Sequence, residues 1–266
     1  LITLTTDFGL TAPYVAAMKG ALLGVCPAAR ILDLSHQIRP QDVRHAAYFL
    51  AVAVPAFPPE ALHVVVVDPG VGTDRSVLYI ESTSCRLLAP DNGCWTQIDF
   101  PAPPVVRRLT EARFWRHPVS ATFHGRDIFA PVAGHLARGI HPAELGPVID
   151  GWVTLSIPRP RLAENGELVG EVLFIDDFGN VITNIPGGLL RTGTFVRIGA
   201  REIRQLVRTY GDARPGELVA LVSSCGHLEL AVVQGNAAAN LAVAVGAPVR
   251  LVQTDGNTGK PPASTS

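Results

Sequence analysis

The run Leu62-His-Val-Val-Val-Val67 constrains the fold more than any other stretch of this chain. Four consecutive valines have no helical face, and their stiff β-branched side chains suit a pleated strand. Apolar residues pointing both ways are the composition of a central parallel strand covered on both faces. The run stops at Asp68-Pro-Gly-Val-Gly72, where proline and glycine make the chain turn. Leu1 to Thr5 reads as a second buried strand, with Thr6, Asp7, Phe8 and Gly9 at its carboxyl end, the edge where parallel α/β sheets bind ligands. Pro13 opens a helical pattern with Val15, Met18, Leu22 and Leu23 on one face, ended by Pro27. A short strand at Ile31–Leu34 follows, and then a helical run from Val43 that Pro55 stops. The strands expected at Val77–Ile80 and Arg86–Leu88 are joined by short turns, so part of the sheet is hairpin-like. A further helix is expected over Arg126–Arg138, with Asp127 in its first turn and Gly139 at its end.

Around Asp150 the texture changes. Ser156-Ile-Pro-Arg-Pro-Arg161 reads as a connector, and short apolar runs separated by Gly, Asp, Asn and Pro follow it. They lie at Val169–Ile175, Phe195–Ile198, Leu218–Ser223, Leu228–Val233 and Val249–Val252. Short strands with frequent turns argue a smaller, mostly antiparallel, barrel-like β domain. The expectation is therefore an amino-terminal α/β domain (1–155) with a largely parallel central sheet, a carboxy-terminal β domain (166–252) and a loose tail (253–266).

With 22 Lys and Arg against 23 Asp and Glu, the chain has no positive field to gather phosphate backbones, which argues against nucleic-acid partners. Its apolar stretches break before membrane-spanning length, so no membrane partner is expected. It opens directly on a strand-like run, so no leader is expected and only the initiator end would be missing. Cys26, Cys85, Cys94 and Cys225 show neither CxxC spacing nor disulfide-scaffold density, so buried thiols in a cytoplasmic protein are expected.

Four segments can carry chemistry. Asp68-Pro-Gly-Val-Gly-Thr-Asp-Arg75 puts a carboxylate and a guanidinium on one glycine-rich loop, although Arg75 could equally pair with Asp74 or Glu81. Thr122-Phe-His-Gly-Arg-Asp127 places His124 just before a helix start; a histidine satisfied by a loop carbonyl is the plainer alternative. Asp176-Asp-Phe-Gly-Asn180 interrupts a β pattern with a turn in which Phe178 could stack a flat base and Asn180 could both donate and accept; the alternative puts Phe178 in the small core. Ser223-Ser-Cys-Gly-His-Leu-Glu229 offers small hydroxyls beside a glycine, with Glu229 either facing solvent or placed for a purpose. No dinucleotide fingerprint, P-loop, HExxH or GxSxG occurs, so what remains is acid–base and positioning chemistry without a metal or cofactor.

Taken in order, Thr6-Asp-Phe-Gly9, Asp33-Leu-Ser-His36, Val67-Asp-Pro-Gly-Val-Gly-Thr73 with Arg75, Thr122-Phe-His-Gly-Arg-Asp127, Phe178-Gly-Asn-Val-Ile-Thr-Asn184 and Gln234-Gly-Asn-Ala-Ala238 resemble the S-adenosylmethionine hydroxide adenosyltransferase family. Its members are the water-using relatives of the fluorinase and chlorinase. The resemblance implies an enzyme that converts S-adenosyl-L-methionine and water to adenosine and L-methionine. It also implies a homotrimer with its sites between subunits. By the same resemblance Asp7 would grip the ribose hydroxyls, and Asp68, Arg75 and His124 would hold and polarise the attacking water. Phe178 and Asn180 would face adenine, Asp176 would lie near the methionine ammonium and Ser224 near its carboxylate. Glu229 and Ala237 are added as substrate-binding positions. The halogenating relatives carry tyrosines where this chain has Asp68 and His124, and the fluorinase a serine at the position of Gly125. A carboxylate at the point of attack would repel halide and accept a hydrogen bond from water. Three positions depart from the family pattern: Ala12 where aspartate is common, His227 where an aromatic is frequent, and Cys225 where the fluorinase has a substrate-binding arginine. A halogenase and a non-catalytic adenosine-binding protein are the competing readings.

Overall fold

The computed structural model describes residues 1–253, which form two compact units, Leu1–Leu155 and a second starting at Ser156. In the first, β1 (Ile2–Thr6), β2 (Ile31–Ser35), β3 (Leu62–Val66), β4 (Val77–Glu81), β5 (Arg86–Pro90) and β6 (Val105–Arg108) build one sheet in the order β2-β1-β3-β5-β4-β6. The first four of that order pair in parallel, while β4 pairs antiparallel with both β5 and β6. The valine run is therefore the central parallel strand its composition predicts, flanked by the predicted hairpin.

Helix α1 (Tyr14–Val25) packs Met18 and Leu22 on one face of the sheet with α3 (Ala130–Ala137), against Ile2, Leu4, Val64 and Val66. Helix α2 (Val43–Ala53) packs Ala46 and Leu50 on the other face, against Val65 and Val67. The chain leaves β1 for β2 on one side and then crosses to β3 on the other. At such a reversal of winding doubly wound sheets hold their ligands beyond the carboxyl ends of the strands, here β1 and β3. Leu23, expected on the buried face of α1, is 38% exposed: it falls one residue past Leu22, about 100° round the helix. The helix expected over Arg126–Arg138 is also two things, a wide π turn at Gly125–Phe129 followed by α3.

The second unit has β7 (Arg161–Leu162), β8 (Leu168–Ile175), β9 (Val181–Pro186), β10 (Thr194–Ile198), β11 (Arg201–Ile203), β12 (Leu218–Val222), β13 (His227–Val232), a short helix α4 (Ala237–Leu241) and β14 (Pro248–Gln253). The strands pair antiparallel in the order β11-β10-β14-β8-β9-β13-β12, with β7 on β8. The chain just beyond β11 bonds to β12, Val207 N to Ala220 O at 3.0 Å and Ala220 N to Gln205 O at 2.9 Å. Both ends of the strand path thus meet, which removes exposed edges and gives the barrel-like closure the sequence predicts. Of the tail expected at 253–266, Gln253 ends β14 and the rest lies outside the described residues. Cys26, Cys85 and Cys94 are buried, whereas Cys225 is half-buried with Sγ 3.0 Å from Ser223 Oγ. Among the described residues no helix is long and apolar enough to cross a membrane.

Candidate active site

Three loops meet at the carboxyl edge of the first sheet. The loop after β1 carries Asp7, the loop after β3 carries Asp68 and Arg75, and the segment before the π turn carries His124. Because Thr6 pairs with Val66 in register, Asp7 follows β1 by one residue and Asp68 follows β3 by two, at the same edge of the sheet. Phe8 and Phe123 meet edge to face at 5.8 Å, and Tyr14 closes the cluster at 5.9 and 5.4 Å from them. That contact ties the Asp7 loop to the His124 segment. Gly72, at φ +79°, joins the remaining pair of loops: an added Cβ would lie 2.1 Å from Ala121 O.

Asp68 and Arg75 form a nearly buried ion pair through Oδ2 and Nη2, with side-chain exposures of 4% and 7%. Arg75 therefore pairs with neither Asp74 nor Glu81, and its Nη1 donates to Ser76 O at 3.1 Å. Asn92 Nδ2 donates to Val67 O at 2.9 Å, fixing the backbone just before Asp68. Asp68 Oδ1 is buried without a hydrogen-bond partner among the described residues. Burial raises the Asp68 pKa above the ordinary carboxylate value, against the opposing pull of Arg75 and His124.

His124 Nδ1 lies 3.2 Å from Arg75 Nη2. Because a guanidinium only donates, Nδ1 carries the lone pair and the neutral ring holds its proton on Nε2. Burial, and then the Arg75 charge, push the His124 pKa down, so this neutral form dominates at pH 7. The imidazole is thus held by a guanidinium rather than by a loop carbonyl.

Asp127 stands in the first turn, as expected, and has a further task there. Its fully buried carboxylate accepts Arg126 Nε at 2.7 Å, Arg126 Nη2 at 2.8 Å and Ser120 N at 3.0 Å. Burial would raise its pKa, but these bonds hold it below the usual value. It braces the segment that presents His124. A separate cavity of about 640 Å³, between Gly20, Gly24 and Pro131, contains none of the expected site residues.

In the second unit, Asp176, Phe178 and Asn180 line a cavity of about 730 Å³ with Tyr210, Val232 and Gln234. Phe178 is 78% exposed, which excludes the small-core alternative. Asp176 Oδ1 accepts Phe178 N at 3.0 Å and Asn180 N at 2.8 Å, and Oδ2 accepts Asn180 Nδ2 at 2.9 Å. Both oxygens are committed to the turn that presents Phe178 and Asn180, a task its reading as an ammonium partner did not anticipate. Glu229 does not face solvent: it is 5% exposed and accepts Tyr210 Oη at 2.6 Å. Burial raises the Glu229 pKa, and burial with the Glu229 charge raises that of Tyr210. Ser224 is exposed in the β12–β13 turn, and Ala237 is buried at the start of α4. Neither is among the cavity-lining side chains named above. Tyr210 was missed in the sequence; its signal is an aromatic inside the turn-forming run Thr209-Tyr-Gly-Asp212, where no core strand or helix needs one.

The SAM hydroxide adenosyltransferase N-terminal domain matches residues 2–146, and the corresponding C-terminal domain matches residues 170–250. The chain belongs to the SAM hydroxide adenosyltransferase family. Within it, the (R)-S-adenosyl-L-methionine hydrolase of Thermus thermophilus is 42% identical over 258 residues, covering 93% of this chain and 97% of the relative. A crystal structure of an uncharacterized conserved protein from Thermotoga maritima superposes with TM-score 0.86 at 34% identity, covering 95% of this chain and all of that one. A fluorinase from Nocardia brasiliensis is a more distant relative, 28% identical over 277 residues and covering 87% of this chain.

Proposed function

We propose that this enzyme hydrolyses S-adenosyl-L-methionine to adenosine and L-methionine, by in-line attack of water on C5′ opposite the sulfonium. The observation that carries the reading is the Asp68–Arg75–His124 cluster with its one unpartnered carboxylate oxygen. The substrate arrives activated, since attack at C5′ releases a neutral thioether from a positive sulfur. The protein has only to align water, take its proton and exclude competing nucleophiles. Asp68 Oδ1 is the acceptor: it is buried, its partner oxygen is held by Arg75, and its raised pKa makes it a better base than an ordinary aspartate. His124 is the orienting donor through Nε2–H, because Nδ1 is committed to Arg75. Arg75 keeps Asp68 ionised and holds the tautomer of His124.

Asp7 takes the ribose diol, while Phe178 and Tyr210 offer ring faces and Asn180 an amide to adenine. Ser224 is kept as a methionine-carboxylate position and Ala237 as a substrate-binding one, and Asp176 acts chiefly by shaping the turn. The working form is a homotrimer with sites between subunits; the exposed Phe178 ring of a single chain fits a surface completed by ligand and neighbour. Unbridged buried thiols fit a cytoplasmic setting. In the name of the Thermus relative, "L" fixes the amino-acid carbon, so "(R)" specifies the pyramidal sulfonium. We take the same epimer as the substrate here.

The test is product analysis in oxygen-18 water, with the sulfonium epimers supplied separately, with and without chloride. Adenosine labelled at O5′ from the R epimer is the expected result. A 5′-halogenated nucleoside would make the enzyme a halogenase, and bound substrate without product above background would make it a binding protein.

A further inference from the structure

The pair of exposed Asp33 and buried His36 is chemistry that the water-aligning cluster does not use. Lys19 Nζ on α1 meets Asp33 Oδ2 at 2.5 Å, and Asp33 Oδ1 meets His36 Nε2 at 3.1 Å. His36, 4% exposed, places Nδ1 2.9 Å from Thr6 Oγ1. Thr6 Oγ1 in turn accepts Phe8 N at 3.3 Å. The chain Lys19–Asp33–His36–Thr6–Phe8 thus runs from the protein surface to the two residues that flank Asp7.

Donor and acceptor roles along it follow from valence. Asp33, when ionised, can only accept from His36 Nε2–H, and whenever the ring is neutral Nδ1 is then the acceptor for the Thr6 hydroxyl proton. Thr6 oxygen is then free to accept from Phe8 N, and every link is satisfied. Two further bonds wrap the same loop onto the turn: Gly9 N donates to His36 O at 2.7 Å, and Gln41 N donates to Asp7 Oδ2 at 2.8 Å. Gln41 does so from a left-handed conformation, φ 63°. One Asp7 oxygen is therefore pinned from the loop, and the turn that carries it is pinned through Thr6.

We propose that Asp33, His36 and Thr6 are positioning residues for substrate, acting by fixing the Asp7 carboxylate in the orientation that receives the ribose hydroxyls. This rests on the ribose role given to Asp7 above. A merely structural network would affect all substrates alike, whereas one acting through Asp7 matters only when the hydroxyls are present.

The experiment compares S-adenosylmethionine with its 2′,3′-dideoxyadenosyl analogue, which lacks both ribose hydroxyls, on wild type, Asp7→Asn, Thr6→Val, Thr6→Ser and His36→Gln enzymes, each checked by thermal melting. For S-adenosylmethionine, Thr6→Val and His36→Gln should raise KM about five-fold, the size of one lost hydrogen bond, with kcat nearly unchanged. With the 2′,3′-dideoxy analogue the same variants should change KM less than about two-fold, and Thr6→Ser should behave as wild type on both. Equal losses on both substrates for Thr6→Val, while Asp7→Asn still discriminates between them, would overturn the positioning role and leave the ribose role standing. Equal losses for Asp7→Asn as well would overturn the ribose role itself.

Discussion

At the scale of single residues, two titrations carry consequences of opposite kind. In its proposed role Asp68 must be ionised to accept a proton from water, and burial sets its pKa above the ordinary carboxylate value. His124 must be neutral to keep Arg75 on Nδ1, and its pKa is depressed. Both requirements are met as pH rises, so kcat/KM should show an acid limb, displaced upward from an ordinary aspartate, and no alkaline limb from this pair. Arg75→Met removes the charge that favours ionised Asp68, and the limb should move to higher pH; a limb unchanged in that variant would remove Asp68 from the role of base. His63 supplies the second titration, and it reads stability. It is 1% exposed on β3, with Nδ1 2.7 Å from Thr3 Oγ1, and burial depresses its pKa to about 4. A depressed folded pKa means the unfolded chain binds the proton first. The contribution is therefore whole above pH 6.5 and is lost as pH falls toward 4, amounting to about 3 kcal/mol. Urea unfolding at pH 7 and pH 4 should show that loss in the wild type and not in His63→Leu; equal pH slopes would place the cause elsewhere.

At the scale of elements, the site is made by loops that touch rather than by any one motif. Gly72 is where the Asp68 loop meets the His124 segment, and Gly72→Ala must push the two apart. A displacement of about 1 Å at the reacting groups typically costs about 100-fold in rate, so kcat should fall by that order. Gly146→Ala is the control, since its Cβ would also lie 2.1 Å from a carbonyl, Arg108 O, but on a loop without site residues. It should lose comparable stability and keep kcat; equal kcat losses in the two variants would reduce Gly72 to a folding residue. The same contrast explains what could be read without coordinates. The valine run announced β3 and the point where Asp68 emerges, and the strand at Leu1–Thr5 announced Asp7, because strand composition and turn residues are local signals. The Lys19–Asp33–His36–Thr6 chain, the Asp176 bonds to its own turn and the Tyr210–Glu229 contact were not legible. The first and last join residues distant in the chain, and no periodicity reports such contacts. The split of Arg126–Arg138 into a π turn and α3 was likewise not legible, and neither was the bonding of first-turn Asp127 to Arg126 and Ser120 N.

At the scale of the whole molecule, the groups assigned to water and ribose lie in one unit and those assigned to adenine in the other. Asp7, Asp68, Arg75 and His124 all precede Leu155, whereas Phe178, Asn180 and Tyr210 follow Ser156. If each working site joins the first unit of one subunit to the second unit of its neighbour, defects in different units should complement. Asp68→Asn disables every site that uses the first unit of its subunit, and Phe178→Ala weakens every site that uses the second. In mixed trimers, a site formed by the first unit of a Phe178→Ala subunit and the second unit of an Asp68→Asn subunit carries neither change. Random assembly from equal amounts makes about a quarter of the sites intact in this way, by the closure of a cyclic oligomer. Co-expressed Asp68→Asn and Phe178→Ala chains should therefore recover about a quarter of wild-type kcat at unchanged KM, although each alone is impaired. Sites contained within single subunits would instead give only the mean of the two single-variant activities, because no mixture could then produce an intact site.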